Sequence, residues 1–393
     1  MTTSALHPPS LHFSPIRAEI DLDALRHNVR VLRGYAGDVV VMAAVKADAY
    51  GHGAVPVVRA LQTEGVRHFA VATVHEGIEL REAGIEHPIY VLGAPLPDAL
   101  PAYARHRLVV TISSVEIADA VIAGTSESGA YQTGASRTGP LTVHIKVDTG
   151  MRRLGLLPEE VQETLARLRT APGISVDGIW THFATVDRTF TLKQLGRFDA
   201  LVESLEDPPP ATHVANSGTL LHLPETSRGR TLVRLGGALF GLVVDRLPEV
   251  EEPDIRPIMR LMSRVVHIRA VQPGDTVSYG RTWTAERETR IATIAAGYGD
   301  GLPRSLSNRG SVGIGGAMYP IVGRVCMDML MVDLGPPIPS DSIRLGDDVV
   351  LFGPGGLSAM ELAEAAGTIS YELTCGLTKR VPRQYLGEES VGL

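Results

Sequence analysis

The chain is poor in cysteine: Cys326 and Cys375 are the only two in 393 residues, and they stand far apart. They have neither a metal-ligand spacing nor a disulfide framework, which excludes a disulfide-stapled scaffold and fits a reducing cytoplasm. A basic run is also missing, and the net charge is -7. Nucleic acid and acidic membranes are therefore poor partners, and no metal site is expected. No apolar run approaches the ~20 residues of a membrane span; those at 39–45 and 238–244 read as buried strands or strand–loop junctions. Residues 1–15 are polar, with several prolines, and lack a basic start followed by an apolar core. They read as a flexible leader rather than a secretory signal.

What is present is a globular composition, 44% hydrophobic and 21% charged. The length exceeds one ordinary core of ~100–150 residues, so two domains, or one large barrel plus an addition, are expected. Short β-branched or apolar runs fall at 39–45, 68–73, 89–92, 108–112, 142–147, 176–181, 212–215 and 232–235. Helical spacing fills most of the gaps, at 55–64, 76–83, 115–122, 158–169 and 192–205. Strand–helix alternation means parallel strands with crossover helices, and about eight repeats match a (β/α)8 TIM-type barrel. A doubly wound open sheet is the rival. Residues 124–140, rich in Gly, Ser and Thr, read as an inserted surface loop. From about residue 254 the helical pattern fades. Strands are expected at 265–271, 289–295, 319–325, 329–334 and 348–352, with one helix at 359–366. The expected organisation is a leader (1–15), a barrel (16–253) and a mostly β domain (254–393).

Parallel barrels do chemistry at the C-terminal ends of their strands. Lys46 follows the first run, His182 the sixth and Asn216-Ser217-Gly218 the seventh; Arg234 ends the eighth, ahead of Gly236-Gly237. A serine and a glycine pair after strands seven and eight match the usual phosphate site of such barrels. Pattern alone thus gives a phosphate-bearing ligand in a barrel, and no named reaction.

The segment Ala44-Val45-Lys46-Ala47-Asp48-Ala49-Tyr50-Gly51-His52-Gly53 resembles the pyridoxal-phosphate (PLP) lysine motif of alanine racemases. Lys146-Val147-Asp148-Thr149-Gly150-Met151-Arg152-Arg153-Leu154-Gly155 is similar to a second family motif. Thr181-His182-Phe183-Ala184, Ala215-Asn216-Ser217 and Val233-Arg234-Leu235-Gly236-Gly237 resemble three more. Val277-Ser278-Tyr279-Gly280, Ala296-Gly297-Tyr298-Gly299-Asp300-Gly301 and Gly323-Arg324-Val325-Cys326-Met327-Asp328 complete the series in family order, and the match runs from about Ile16 to Arg383.

The resemblance implies interconversion of L- and D-alanine, supplying D-alanine for bacterial cell-wall synthesis, by a cytoplasmic homodimer with shared active sites. Lys46 resembles the Schiff-base lysine and one of two Cα bases; Tyr279, supplied by the neighbouring subunit, resembles the other. A free tyrosine titrates near ~10 and needs help near neutral pH, which His182 and Arg234 are expected to give. Arg234 resembles the residue facing the pyridine nitrogen; offering only donors, it leaves that nitrogen unprotonated. Tyr50, Ser217 and Gly237, with Gly236 beside them, match phosphate contacts. Arg153 matches the residue facing the phenolic oxygen, and Lys146 a lysine carbamylated in many members. Tyr298 and Met327 match positions near the substrate carboxylate and methyl group, and Asp187, Arg304 and Arg324 match the entry channel. The chain departs from the family at Lys379, where a tyrosine is common, and at Gly237, Phe240 and Arg152, where Ile, Tyr and Gly are common. A decarboxylase of the same fold acting on a diamino acid, a PLP carrier and a racemase that also takes serine are the alternatives. Arg234 and Tyr279 argue against the first, and the β domain against the second.

Overall fold

The computed structural model describes residues 14–126, 140–242, 253–336 and 343–387. The leader call, except for residues 14 and 15, and most of the 124–140 loop call lie outside them. The chain divides into two compact units: Leu25–Ala49 with Gly53–Ile255, and Met1–Ala24 with Tyr50–His52 and Arg256–Leu393.

The chain starts with β1 (Arg17–Asp21) and α1 (Leu22–Ala36), followed by β2 (Val40–Ala44) and the short α2 (Lys46–Gly51). Next come α3 (Ala54–Thr63), β3 (His68–Val71), α4 (Val74–Glu82), β4 (Ile89–Val91), α5 (Leu100–Arg105), β5 (Leu108–Ile112) and α6 (Val115–Ser126). The barrel continues through β6 (Leu141–Lys146), α7 (Pro158–Thr170), β7 (Ile174–Trp180), α8 (Arg188–Ser204), β8 (Ala211–Asn216), α9 (Ser217–His222) and β9 (Leu232–Leu235). Strands β2 to β9 form a closed parallel barrel. The last pairing joins its ends, with Met42 opposite Arg234, so the open-sheet rival is excluded.

Local chemistry starts and stops these elements. Thr73 and Glu76 form a reciprocal capping box on α4, Asp187 caps α8 by accepting from the Phe190 N–H, and Pro158 opens α7. Each satisfies N–H groups that a helix start leaves without partners. Inside the barrel, Met42, Ala44, Ala70, Tyr90, Val109 and Leu232 pack as one buried cluster. Polar residues are buried as well: His144, Lys146, His213 and Arg234.

The other unit holds β10 (Met259–Val271), β11 (Thr276–Val277), β12 (Trp283–Thr284), β13 (Thr289–Ile294), β14 (Ser311–Ile314), β15 (Ala317–Pro320), β16 (Leu330–Asp333) and β17 (Asp348–Phe352). It ends in α10 (Ala359–Ala366), α11 (Ser370–Cys375) and β18 (Arg383–Leu386). Eight strands make the main sheet, with the path β15-β14-β17-β10-β1-β18 and β13 and β16 branching from β10.

Three expectations need correction. The barrel expected over 16–253 would include β1, yet β1 pairs antiparallel with β10 and parallel with β18, and residues up to Ala24 group with the β unit. The strand expected at 319–325 ends at Pro320, apart from one bridge at Ile321. Proline has no N–H to donate, and Gly323 turns the chain at a φ of 74° with its N–H on Asn308 Oδ1. Besides the expected helix at 359–366, the unit also contains α11, a six-residue helix too short to show a helical period.

Candidate active site

Lys46 leaves β2 at its C-terminal end, and the turn that follows is left-handed. Ala47, Asp48, Ala49 and Tyr50 have φ values of 52°, 52°, 53° and 56°. Each such residue costs about 1–2 kcal/mol, because its Cβ crowds the next carbonyl. The surroundings hold the turn in place. Glu76 Oε1 accepts from the Ala47 N–H at 2.6 Å, and Asp48 Oδ1 from the Ala54 N–H at 2.7 Å. The Ala49 N–H reaches Val45 O at 2.8 Å and the Gly53 N–H Asp48 O at 2.9 Å. Strain held this way by its neighbours is typical of functional sites.

Arg234, 3% exposed, projects inward from β9. Its Nη1 donates to His213 Nδ1 at 2.9 Å and His213 O at 2.8 Å. Its Nη2 donates to Thr181 O at 2.8 Å, Val214 O at 2.9 Å and His182 Nδ1 at 3.2 Å. All four Nη protons thus have acceptors among the described residues, leaving the Nε–H as the donor for a ligand. Burial pulls the guanidinium down to about 9, still charged near neutral pH.

Because Arg234 can only donate, His182 must accept at Nδ1 and carry its proton on Nε2. Burial, then the charges of Arg234, Lys146, Arg153 and Lys46, hold His182 well below the usual histidine range. Its loop is fixed from behind by buried Gln194, whose Nε2 donates to His182 O and Thr149 Oγ1, both at 3.3 Å. The Ala184 N–H completes the clamp at 2.9 Å on Gln194 Oε1.

Lys146, on β6, lies buried with its Nζ 4.3 Å from the centre of the Trp180 ring. Burial first, then Arg153 and Arg234, push its ammonium down to about 7. Trp180 also stacks on His213, with ring centres 5.4 Å apart, and has the Arg234 guanidinium 4.8 Å away. Asn216 caps α9, and Ser217 Oγ accepts the Gly236 N–H at 2.9 Å, joining the loops after β8 and β9. The bond sets the Gly236 N–H and the Ser217 hydroxyl side by side at the ends of β9 and β8. Gly237 opens the short helical turn that follows.

Four cations, Lys46, Lys146, Arg153 and Arg234, act on the one imidazole of His182. This donor set fits a cofactor carrying a phosphate and a phenolate. Among the described residues no group of three or more His, Cys, Asp or Glu is placed to hold a metal ion.

In the β unit, the rings of Tyr50 and Tyr371 meet edge-on at 5.5 Å. Burial raises the Tyr50 phenol above its usual range, so it stays a donor. Tyr279 is 74% exposed. It follows Ser278, which has a φ of 68° and a hydroxyl donating to Arg324 O at 2.7 Å. The N–H groups of Tyr298 and Gly299 bond Cys326 O at 3.0 Å and Met327 O at 2.8 Å, which brings Tyr298 and Met327 together. Both are also exposed, at 41% and 52%. Asp187, expected in an entry channel, caps α8 through Oδ1.

Sequence reasoning missed Gln194, His213, Trp180 and His144. A signal was there: in Thr142-Val143-His144-Ile145-Lys146, period-two alternation puts His144 on the face of Lys146, pointing into the barrel.

Comparison with known proteins agrees with this arrangement. The model of the alanine racemase N-terminal domain matches residues 20–244, and that of the C-terminal domain residues 258–385. An alanine racemase of Cutibacterium acnes is 42% identical over 388 residues, covering 95% of this chain and 99% of its own. One of Chlorobaculum tepidum is 43% identical, covering 93% and 94%. The solved alanine racemase of Clostridium difficile superposes with a TM-score of 0.85 at 35% identity, covering 95% and 96%. By domain match, sequence and fold, the chain belongs to the alanine racemase family.

Proposed function

We propose that the protein interconverts L- and D-alanine with pyridoxal 5'-phosphate held on Lys46. The observation that carries this reading is Arg234, a buried arginine whose four Nη protons are consumed and whose Nε–H is left for the ring nitrogen. When bound, the cofactor supplies the electron sink that lets a Cα proton leave. A donor-only partner keeps the ring nitrogen unprotonated and limits that sink, which suits reversible proton transfer.

The protein's own groups move the protons. The Lys46 amine takes or gives a proton on one face of Cα, and the Tyr279 phenol does so on the other. The His182 Nε2–H, with Nδ1 tied to Arg234, is oriented to donate to a phenolate and stabilise it. Ser217, Gly237 and Tyr50 hold the phosphate, and Arg153 the phenolic oxygen. Tyr298 and Met327 bound the substrate.

Lys146, drawn to about 7, has a large neutral fraction near neutral pH, the form that adds carbon dioxide. A carbamate there would replace a cation with an anion facing Arg153. Uptake of labelled carbon dioxide, read by carbon NMR and lost in Lys146→Gln, tests that step.

Tyr279, Tyr298 and Met327 lie exposed on one chain, which favours a homodimer in which a second subunit completes each site. Among the described residues no helix is long and apolar enough to cross a membrane. The reading predicts that Lys46→Ala loses cofactor absorbance and racemisation together. A variant that keeps both would refute it.

A further inference from the structure

Below Arg234 the hydrogen bonding continues through the barrel. His213 Nε2 lies 2.9 Å from His144 Nδ1, and both rings are buried. The polarity of this chain is set at its top. Arg234 has no acceptor to offer, so His213 accepts at Nδ1 and carries its proton on Nε2. His213 therefore donates to His144, which must accept at Nδ1 and carry its own proton on Nε2. Beyond His144 lies Tyr90, its ring 5.1 Å away edge-on and its hydroxyl 2.9 Å from His68 Nδ1. His68, Tyr90, His144 and Asp177 then line a pocket of about 510 Å³. Val40, Thr142, Ala211 and Leu232, at or near the starts of their strands, line it too, so it opens at the end of the barrel opposite Lys46.

The neighbouring strand is built around this ring. A Cβ on Gly178 would lie 2.3 Å from His144 Cε1 and 2.4 Å from its Nδ1. The β6–β7 register also shifts at this point, pairing His144 with Gly178.

We propose that His144 is a remote positioning residue for the cofactor's ring-nitrogen site. By accepting from His213 Nε2 it pairs the far side of the ring whose Nδ1 serves Arg234, and so holds the His213 ring and with it the orientation of the Arg234 guanidinium. The proposal rests on the reading of Arg234 given above. Removing the His144 acceptor leaves the buried His213 Nε2–H without that partner. The ring then shifts, and the Arg234 guanidinium that donates to it shifts too, its Nε–H included.

Nitrogen-15 spectra of histidine-labelled protein, with and without cofactor, test the column directly. His144, His182 and His213 should all be neutral Nε2–H tautomers, and a His213 or His144 protonated at Nδ1 near neutral pH overturns the proposal. His144→Leu should shift the His213 signals, move the bound-cofactor absorbance and lower kcat by about 10-fold, the loss of one buried hydrogen bond. KM should change by less than about 2-fold, because substrate contacts remain. His144→Asn, whose Oδ1 can stand in for Nδ1, should recover most of kcat. Should His144→Leu fail to fold, Gly178→Ala pushes on the same ring and should move the same signals. Arg234→Gln separates the two levels. If it shifts the absorbance while His144→Leu leaves absorbance, kcat and His213 signals unchanged, the column is wrong and the Arg234 reading stands. If Arg234→Gln shifts nothing, the Arg234 reading falls, and the positioning role with it.

Discussion

Charge state decides most of what individual residues do here. His144 is pulled by burial to about 4, and burial holds His182 and His213 well below the ordinary histidine range. All three are therefore neutral when folded and free to protonate when unfolded. Below about 6.5 the unfolded chain binds more protons, so stability is full above that pH and falls as pH drops towards 4. Each imidazole contributes up to about 1.4 kcal/mol per pH unit. Thermal unfolding of the cofactor-free protein from pH 8 to 5 should show this fall, and substituting His144 by Asn should flatten it. A second residue-scale prediction concerns Arg152, which has a φ of 59°. Arg152→Gly should raise the thermal midpoint by about 1 °C, since it relieves about 1 kcal/mol of left-handed strain in a chain of this length. An unchanged or lower midpoint would mean the arginine side chain makes up for its backbone.

Among the elements, α2 carries the most strain. Glu76 Oε2 caps α4 through the Ala72 and Thr73 N–H groups while Oε1 holds the Ala47 N–H. Glu76→Ala should cost about 1–3 kcal/mol, leave three buried or turn N–H groups short of an acceptor, and loosen Lys46. Weaker cofactor retention on dialysis would report the second effect. The sequence made the barrel elements legible because each strand carries its own apolar run. The run at 108–112 became β5 residue for residue, and that at 232–235 became β9. The pairing of β1 was not legible. Five residues hold no record of which distant strands they will meet, and β1 lies between β10 and β18 from the far end of the chain. The site was legible where it resembles family motifs, as at Lys46 and Arg234. Gln194 was hidden because a buried glutamine on a helix looks like any polar surface residue until its partners are known. The left-handed sense of α2 was equally hidden, since Ala-Asp-Ala-Tyr has good right-handed formers and its conformation is imposed by Glu76 and Asp48.

Considering the whole molecule, the proposed bases lie in different compact units, Lys46 with the barrel and Tyr279 with the β unit. In a homodimer with shared sites, mixing Lys46→Ala and Tyr279→Phe chains by co-expression should restore activity. Random pairing makes half the dimers mixed, each with one intact site, so about a quarter of wild-type activity should return. No restoration would mean that both bases of a site come from one chain.

Two bases on opposite faces of Cα are the central claim, and proton exchange in D2O reads it most directly. Purified protein is incubated with L-alanine, and separately with D-alanine, and stopped early. The enantiomer formed in each case should carry deuterium at Cα, while the recovered starting enantiomer should remain mostly protium, because each base delivers from its own face. A product that keeps the original protium would mean that one base carries the proton across, and Tyr279 would lose its role.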